Sequence, residues 1–266
     1  MLGADQRAAF ERDGIALLPQ AVPAGDVAAM RARLWGHLER AHAIREGDSK
    51  SWPASRPSHF QALSRSDAFA PLRCPALVSA LDALFGPSGW QEPPSWGPPL
   101  VSFQDCNAWE VPTKAWHLDL AISPRCPLRA VRAFAFLTDV APSGGATVAV
   151  AGSHRVLGAL AERAGRELRS KEARAALAAC DAWFAALEQD GVAERSRTFL
   201  HDGAHVLGTP VRVVELCGRA GDVVLMRAEL LHAMAPHALP APRLLLAPFV
   251  YARGAAAPPP PNAARN

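Results

Sequence analysis

The sequence predicts a mainly β domain with flanking helices, built as an antiparallel jelly roll. Three observations carry this. After residue 100 the chain breaks into short apolar runs separated by proline and glycine, the pattern of strands and tight turns. No regular helix recurs between those runs, which argues for antiparallel sheets and against a parallel crossover fold. And 24 of the 266 residues are proline, about 9% against a usual level of about 5%, a density that suits loops and strand ends better than a helix bundle.

The elements follow in order. Residues 4–13 (ADQRAAFERD) form a short helix that Gly14 stops. IALLP (15–19) is a short buried strand. From Ala24 to about His42, Val27, Met30, Leu34 and Leu38 recur at three- and four-residue steps, a helical stripe. Residues 46–59 lack periodicity and read as a surface loop. A second long helix covers Pro75–Phe85, stopped by Gly86. The stretch 86–99 (GPSGWQEPPSWGPP) is a connection too aromatic to be a plain linker; Trp52, Trp90 and Trp96 either wall a pocket or anchor their loops. Strands are expected at LVSFQ, WHLDLAIS, VRAFAFLTDV and ATVAVAGS. A helical insert covers about 157–189, and strands return at 211–216, 222–232 and 243–253. The whole is one domain over 1–253, with a helical part at 1–99 and the β core at 100–253. The tail 254–266 is expected to be disordered.

Composition narrows the function. Half the residues are hydrophobic and a fifth charged, ordinary for a globular protein. The net charge of +3 is too small and too evenly spread for a dedicated nucleic-acid binder. No apolar run approaches the roughly 20 residues of a membrane span. Five cysteines without a C-x-x-C pair argue against a disulfide framework or zinc ribbon. The N-terminus lacks the features of a secretory leader, so a cytoplasmic setting is expected, with a monomer or weak homodimer as the assembly. Neither G-x-x-x-x-G-K-[ST] nor G-x-G-x-x-G occurs, which removes the usual nucleotide-binding loops.

The sharpest local feature is Trp116-His117-Leu118-Asp119. On a strand, residues two apart share a face, so His117 and Asp119 project an imidazole and a carboxylate into one space. That is two thirds of a two-histidine, one-carboxylate facial triad, the set that leaves coordination positions open on iron(II). H-x-D alone is a weak motif. Downstream, Gly221-Asp222 opens an apolar run that ends at His232, and Arg243 follows eleven residues later. A guanidinium there can clamp a carboxylate bidentately.

Together these residues resemble the phytanoyl-CoA dioxygenase-like group of iron(II)/2-oxoglutarate-dependent oxygenases. The resemblance rests on FERDGIALLP (10–19), WHLD (116–119), LTDVAPSGGATVAVAGSHR (137–155) and GDVVLMRAELLH…R (221–243). It departs from the family pattern at Ala151, where proline is usual. It implies a double-stranded β-helix of the cupin-like kind, and a dioxygenase that uses O2. In such an enzyme, decarboxylation of 2-oxoglutarate to succinate and CO2 is coupled to oxidation, hydroxylation foremost, of a small-molecule substrate. It further implies that His117, Asp119 and His232 bind Fe(II), that Arg243 pairs with the distal carboxylate of 2-oxoglutarate, and that Thr147 hydrogen-bonds the cosubstrate. Related halogenases lack the carboxylate, so an intact Asp119 argues against halogenation.

Rival residues stay open. His237 competes with His232; Arg132 and Arg253 compete with Arg243. His201 and His205 have a zinc spacing, but Gly203 breaks the helix it needs. His154 is expected to support a turn. Trp109, Lys114 and Trp116 precede the metal motif as substrate-contact candidates, against a bland role as core or solvated loop. Two other classes of function compete: a non-catalytic jelly-roll binding or sensing protein, and a cupin-type metalloenzyme that dispenses with 2-oxoglutarate.

Overall fold

The computed structural model describes residues 2–255; most of the 254–266 tail therefore lies outside the described residues. Helix α1 (Ala4–Asp13) ends at Gly14, whose φ of 78° places it in the left-handed region. A Cβ there would sit 2.7 Å from Leu230 Cδ1 and 3.0 Å from His154 Nδ1. Gly14 is thus required twice, for conformation and for close approach. Strand β1 (Ile15–Leu18) and helix α2 (Ala24–His42) follow; α2 buries Val27, Met30, Leu34, Trp35 and Leu38. After the short α3 (Gln61–Ser64) comes α4 (Pro75–Phe85), with proline in its first turn where no backbone donor is missed.

The β core comprises β2 (Pro99–Ser102), β3 (Ala130–Phe136), β4 (Thr147–Ala151), β5 (Ala204–Val206), β6 (Thr209–Glu215), β7 (Val223–Arg227), β8 (His232–Met234), β9 (Arg243–Leu246) and β10 (Phe249–Tyr251). All pairings are antiparallel. One sheet runs β1-β7-β3-β9-β2, with β10 also on β3; the other runs β5-β6-β4-β8. The two sheets do not close into a barrel, and the jelly-roll expectation holds.

Strand alternation sorts the core into layers. Val131, Ala133, Ala135, Leu244, Leu246 and Val250 pack outward on the N-terminal helices, in one cluster with Met30, Leu34 and Leu77. Val148, Val150, Val211, Val213 and Ala233 pack outward on the opposite side, beneath α5 (Ser153–Ala164), α6 (Ser170–Cys180) and α7 (Ala182–Leu187). Phe134, Phe136, Ala149, Met226 and Leu245 fill the space between the sheets. The domain is helix, sheet, sheet, helix. By the same alternation Arg132, Thr147, His232, Met234, Arg243, Phe249 and Tyr251 point into the inter-sheet space.

Four expected boundaries shift, the first being that the run 243–253 is two strands, β9 and β10, not one. WHLDLAIS is not a strand: only His117 makes a β-bridge, to His232, and Ile122 another, to Leu168. The run 222–232 is two strands, not one. The chain turns at Ala228–Leu231 to pass from one sheet to the other, just where Arg227 and Glu229 interrupt the apolar run. The insert begins at Ser153, so the GSHR residues open a helix. His154 is buried in its first turn, with Nε2 3.2 Å from Glu11 O. The three loop tryptophans are anchors: Trp52 Nε1 donates to Arg45 O, Trp90 Nε1 to Asp82 and Trp96 Nε1 to Glu92. No described helix is long and apolar enough to cross a membrane.

Candidate metal centre

His117 and His232 come from different segments and meet as an antiparallel bridge. The distance from His117 N to His232 O is 2.9 Å, and the reverse bond is 3.0 Å. Their ring centroids lie 4.2 Å apart. Asp119 completes the group: Oδ1 is 3.7 Å from His117 Nε2 and Oδ2 is 3.4 Å from His232 Nε2. One ligand atom from each residue falls within 4.8 Å of the others. The backbone of Asp119 is fixed from the turn before His232, by donation to Ala228 O at 3.0 Å.

Both imidazoles are oriented alike. His117 Nδ1 lies 2.8 Å from Ala115 O and His232 Nδ1 lies 2.9 Å from Leu230 O. A carbonyl accepts only, so each Nδ1 carries the proton and each Nε2 presents its lone pair toward Asp119, the tautomer a metal ligand needs. His232 is buried and its Nε2 has no hydrogen-bond partner. Burial pushes its pKa down to about 4, against an opposing pull from Asp119, so the ring stays neutral at pH 7. His117 differs: its side chain is 47% exposed. The centre has one dry side and one wet side.

Arg243 enters from β9, opposite Ser102 of β2. It is 1% exposed. Nη2 donates to Thr147 Oγ1 at 3.2 Å and Nη1 lies 3.8 Å from Met234 Sδ, while Nε has no partner. Among the described residues no carboxylate pairs with it. Burial, together with Arg56 and Arg132, lowers its pKa to about 9, still charged at pH 7. Met234 lies two residues beyond His232 on the same strand face, and Thr147 is its register partner on β4. The inward faces of β4, β8 and β9 thus set a buried cation about two residues of strand, roughly 7 Å, beyond the inner imidazole. A buried cation without a counter-ion is costly unless an anion completes it. Together with the orphaned Nε2 of His232, it fits a bound metal and a carboxylate-bearing cosubstrate.

The competing residues fall elsewhere. His237 is held by Ser102 Oγ at 3.0 Å and Ala241 O at 2.9 Å. Its ring covers Gly145, where a Cβ would meet it at 2.8 Å, so a glycine there makes room for this histidine. His201 and His205 are exposed, the first in a π-helical turn (Arg197–Asp202) and the second on β5. Arg253 bonds Ser88 O at the surface. Arg132 is no exposed strand charge: its side chain is 18% exposed and pairs with Asp119 at 3.2 Å. Trp116 is core, donating from Nε1 to Pro112 O. Trp109 is half-buried against the same cluster, and Lys114 is exposed without a hydrogen bond or ion pair among the described residues.

Sequence reasoning missed the supports. Asp222 accepts from Gln20 N and from Arg219 N, each at 2.8 Å, and so shapes the turn into β7. Glu229, 1% exposed, lies 3.6 Å from Arg129 Nε and 3.7 Å from Arg227 Nε. Arg129 also reaches Ala121 O, just past Asp119. The ionic cluster braces the turn whose carbonyls hold Asp119 and His232. The GD pair was a visible clue to the first; an acidic residue within an apolar run was the clue to the second.

An open jelly roll that gathers two imidazoles and a carboxylate between its sheets defines a class, the mononuclear metal-dependent jelly-roll enzymes. Within it the chain belongs to the phytanoyl-CoA dioxygenase family, whose sequence pattern matches residues 10–243. No curated protein matches it closely enough to count as a relative. Solved structures share the fold at low identity. HygX from Streptomyces hygroscopicus, with nickel and 2-oxoglutarate bound, is 20% identical with a TM-score of 0.55, covering 96% of this chain and 88% of its own. AviO1 from Streptomyces viridochromogenes is 19% identical with a TM-score of 0.56, covering 97% and 99%. The epimerase SnoN, in complex with Fe3+, alpha ketoglutarate and nogalamycin RO, is 20% identical with a TM-score of 0.54, covering 96% and 85%.

Proposed function

We propose that this protein is an Fe(II)/2-oxoglutarate-dependent oxygenase that oxidises, foremost by hydroxylation, a small organic molecule. The observation that carries the reading is the pairing of two incomplete groups in one inter-sheet space: the His117–Asp119–His232 donor set and the buried, carboxylate-free guanidinium of Arg243. The first calls for a cation and the second for an anion. HygX, which shares the fold, holds nickel and 2-oxoglutarate together.

In this reading His117, Asp119 and His232 hold iron, and Arg243 with Thr147 holds the distal carboxylate of 2-oxoglutarate. Iron and 2-oxoglutarate together supply dioxygen activation coupled to decarboxylation to succinate and CO2. The chain supplies the rest. The two carbonyls at Nδ1 keep both imidazoles in the ligating tautomer. The inward apolar residues Phe134, Phe136, Met226 and Leu245 exclude water behind the site. The half-exposed side at His117 is where a substrate approaches. The intact Asp119 favours hydroxylation over halogenation. Against a cupin-type enzyme without 2-oxoglutarate stands Arg243, a buried cation such an enzyme does not use.

The test is an anaerobic titration of metal-free protein with Fe(II) and then 2-oxoglutarate. A weak visible charge-transfer band that needs both additions is the expected result. Bound iron with no band on adding 2-oxoglutarate would remove the cosubstrate from the reading.

A further inference from the structure

We infer that Arg132 is the positioning residue of the metal centre, setting the Asp119 carboxylate between the two imidazoles before any metal arrives. The inference rests on the proposed metal site and adds to it a residue outside the donor set.

Asp119 sits outside any strand. Its backbone is anchored by one bond, to Ala228 O, which leaves its side-chain torsions free. Among the described residues, the only hydrogen bonds its carboxylate accepts come from Arg132 Nη1, at 3.2 Å to Oδ2 and 3.4 Å to Oδ1. One nitrogen straddles both oxygens and holds the carboxylate edge against the histidines.

Arg132 is itself fixed by flat surfaces. It stands directly opposite Phe249 in the β3–β10 register. Its guanidinium carbon lies 4.7 Å from the Phe249 ring centroid and 5.5 Å from that of Phe134, the next inward residue on β3. Such stacking favours the planar guanidinium over an ammonium. Phe249 stacks in turn on Tyr251, at 6.0 Å between centroids. The chain of contact runs from an aromatic rail on β10, through Arg132, to Asp119. Partners that orient a ligating side chain in this way commonly change metal affinity by 10- to 100-fold when removed.

The experiment is calorimetric titration of Ni(II) into metal-free wild type, Arg132→Met, Arg132→Lys and Phe249→Ala, with His232→Ala as the control that removes a donor. Expected are one Ni(II) site in wild type that His232→Ala abolishes and at least tenfold weaker binding by Arg132→Met. Arg132→Lys should fall between, since it keeps the charge and loses the plane. The melting temperature of metal-free Arg132→Met should stay near that of wild type, which separates positioning from general destabilisation. Should Arg132→Met not fold, Phe249→Ala decides, with a several-fold weakening expected although the charge is retained. Unchanged or tighter Ni(II) binding in the decisive variant overturns the role of Arg132 and leaves the metal site standing. A wild type with no site that His232→Ala removes overturns both.

Discussion

His117 and His232 are bonded to each other through their backbones, by two hydrogen bonds of 2.9 and 3.0 Å, before any metal relates their side chains. A single bridge, with no ladder on either side of His117, fixes the spacing of two imidazoles drawn from segments more than a hundred residues apart. The pair is nevertheless unequal, one ring buried and the other half in solvent, and the first prediction follows from that inequality.

Free imidazole should rescue His117→Gly and fail to rescue His232→Gly. The space left by His117 opens to solvent, whereas His232 is 2% exposed and its space is sealed. Ni(II) binding with and without imidazole measures this. Rescue of the His232 variant would mean that the closed side of the centre has been misplaced.

Arg243→Met should lose cosubstrate and gain stability together. A buried cation without a counter-ion disfavours the free protein, so the variant should be more stable by about 1–2 kcal/mol, roughly 2–8 °C in Tm. Added 2-oxoglutarate should raise the Tm of metal-loaded wild type and leave the variant unmoved. In turnover, Arg243→Ala should raise the KM for 2-oxoglutarate at least tenfold, because a buried carboxylate loses its charged partner. An unchanged KM would remove Arg243 as the carboxylate clamp.

His154 should make the fold acid-sensitive. Burial, with Arg227 adding to it, pushes its pKa from 6.5 down to about 4 in the folded chain. Between these values the unfolded chain takes up a proton that the folded chain refuses. Stability therefore falls as pH drops from 6.5 toward 4 and is indifferent to this group above 6.5. The loss amounts to about 3 kcal/mol at the acid end. Urea unfolding of wild type and His154→Gln across that window tests it: the wild-type curve should fall more steeply, and parallel curves would show that His154 titrates normally.

Glu229→Ala should cost about 3–5 kcal/mol, since it leaves the guanidinium groups of Arg129 and Arg227 facing each other without their shared carboxylate. Burial raises the pKa of Glu229, opposed first by Arg227 and then by Arg129. A urea midpoint shift equivalent to less than about 1 kcal/mol would show that the cluster is not the brace described here.

Most of this could be read from residue order because the relevant patterns are local. Helices α1, α2 and α4 follow from apolar spacing and from Gly14 and Gly86. Adjacent positions two apart kept His117 and Asp119 together although their segment is not a strand; one bridge sufficed. The break inside 222–232 is marked only by Arg227 and Glu229, charges that a single strand with one polar face accommodates equally well, so they do not by themselves announce a change of sheet. From the sequence Arg132 is only a rival to Arg243, and its contact with Asp119 is not legible there. A charge in a strand is usually outward, and here the inward register is announced only by Phe134 and Phe136 at alternate positions. In the Arg129–Glu229–Arg227 cluster, Glu229 stands out locally as an acidic residue in an apolar run, but its partner Arg129 lies a hundred positions away and no local pattern points to it.

If His117, Asp119 and His232 hold the metal as proposed, the wet side at His117 would also govern traffic of the ion itself. A centre sealed on all sides exchanges its ion only when the fold opens, at the rate of unfolding. Here an incoming ion would meet the solvent-facing imidazole first and Asp119 and His232 after it, and a chelator would draw it out by the reverse path. In that reading loading and stripping would be separated from folding, and metal-free folded protein would take up the ion without unfolding.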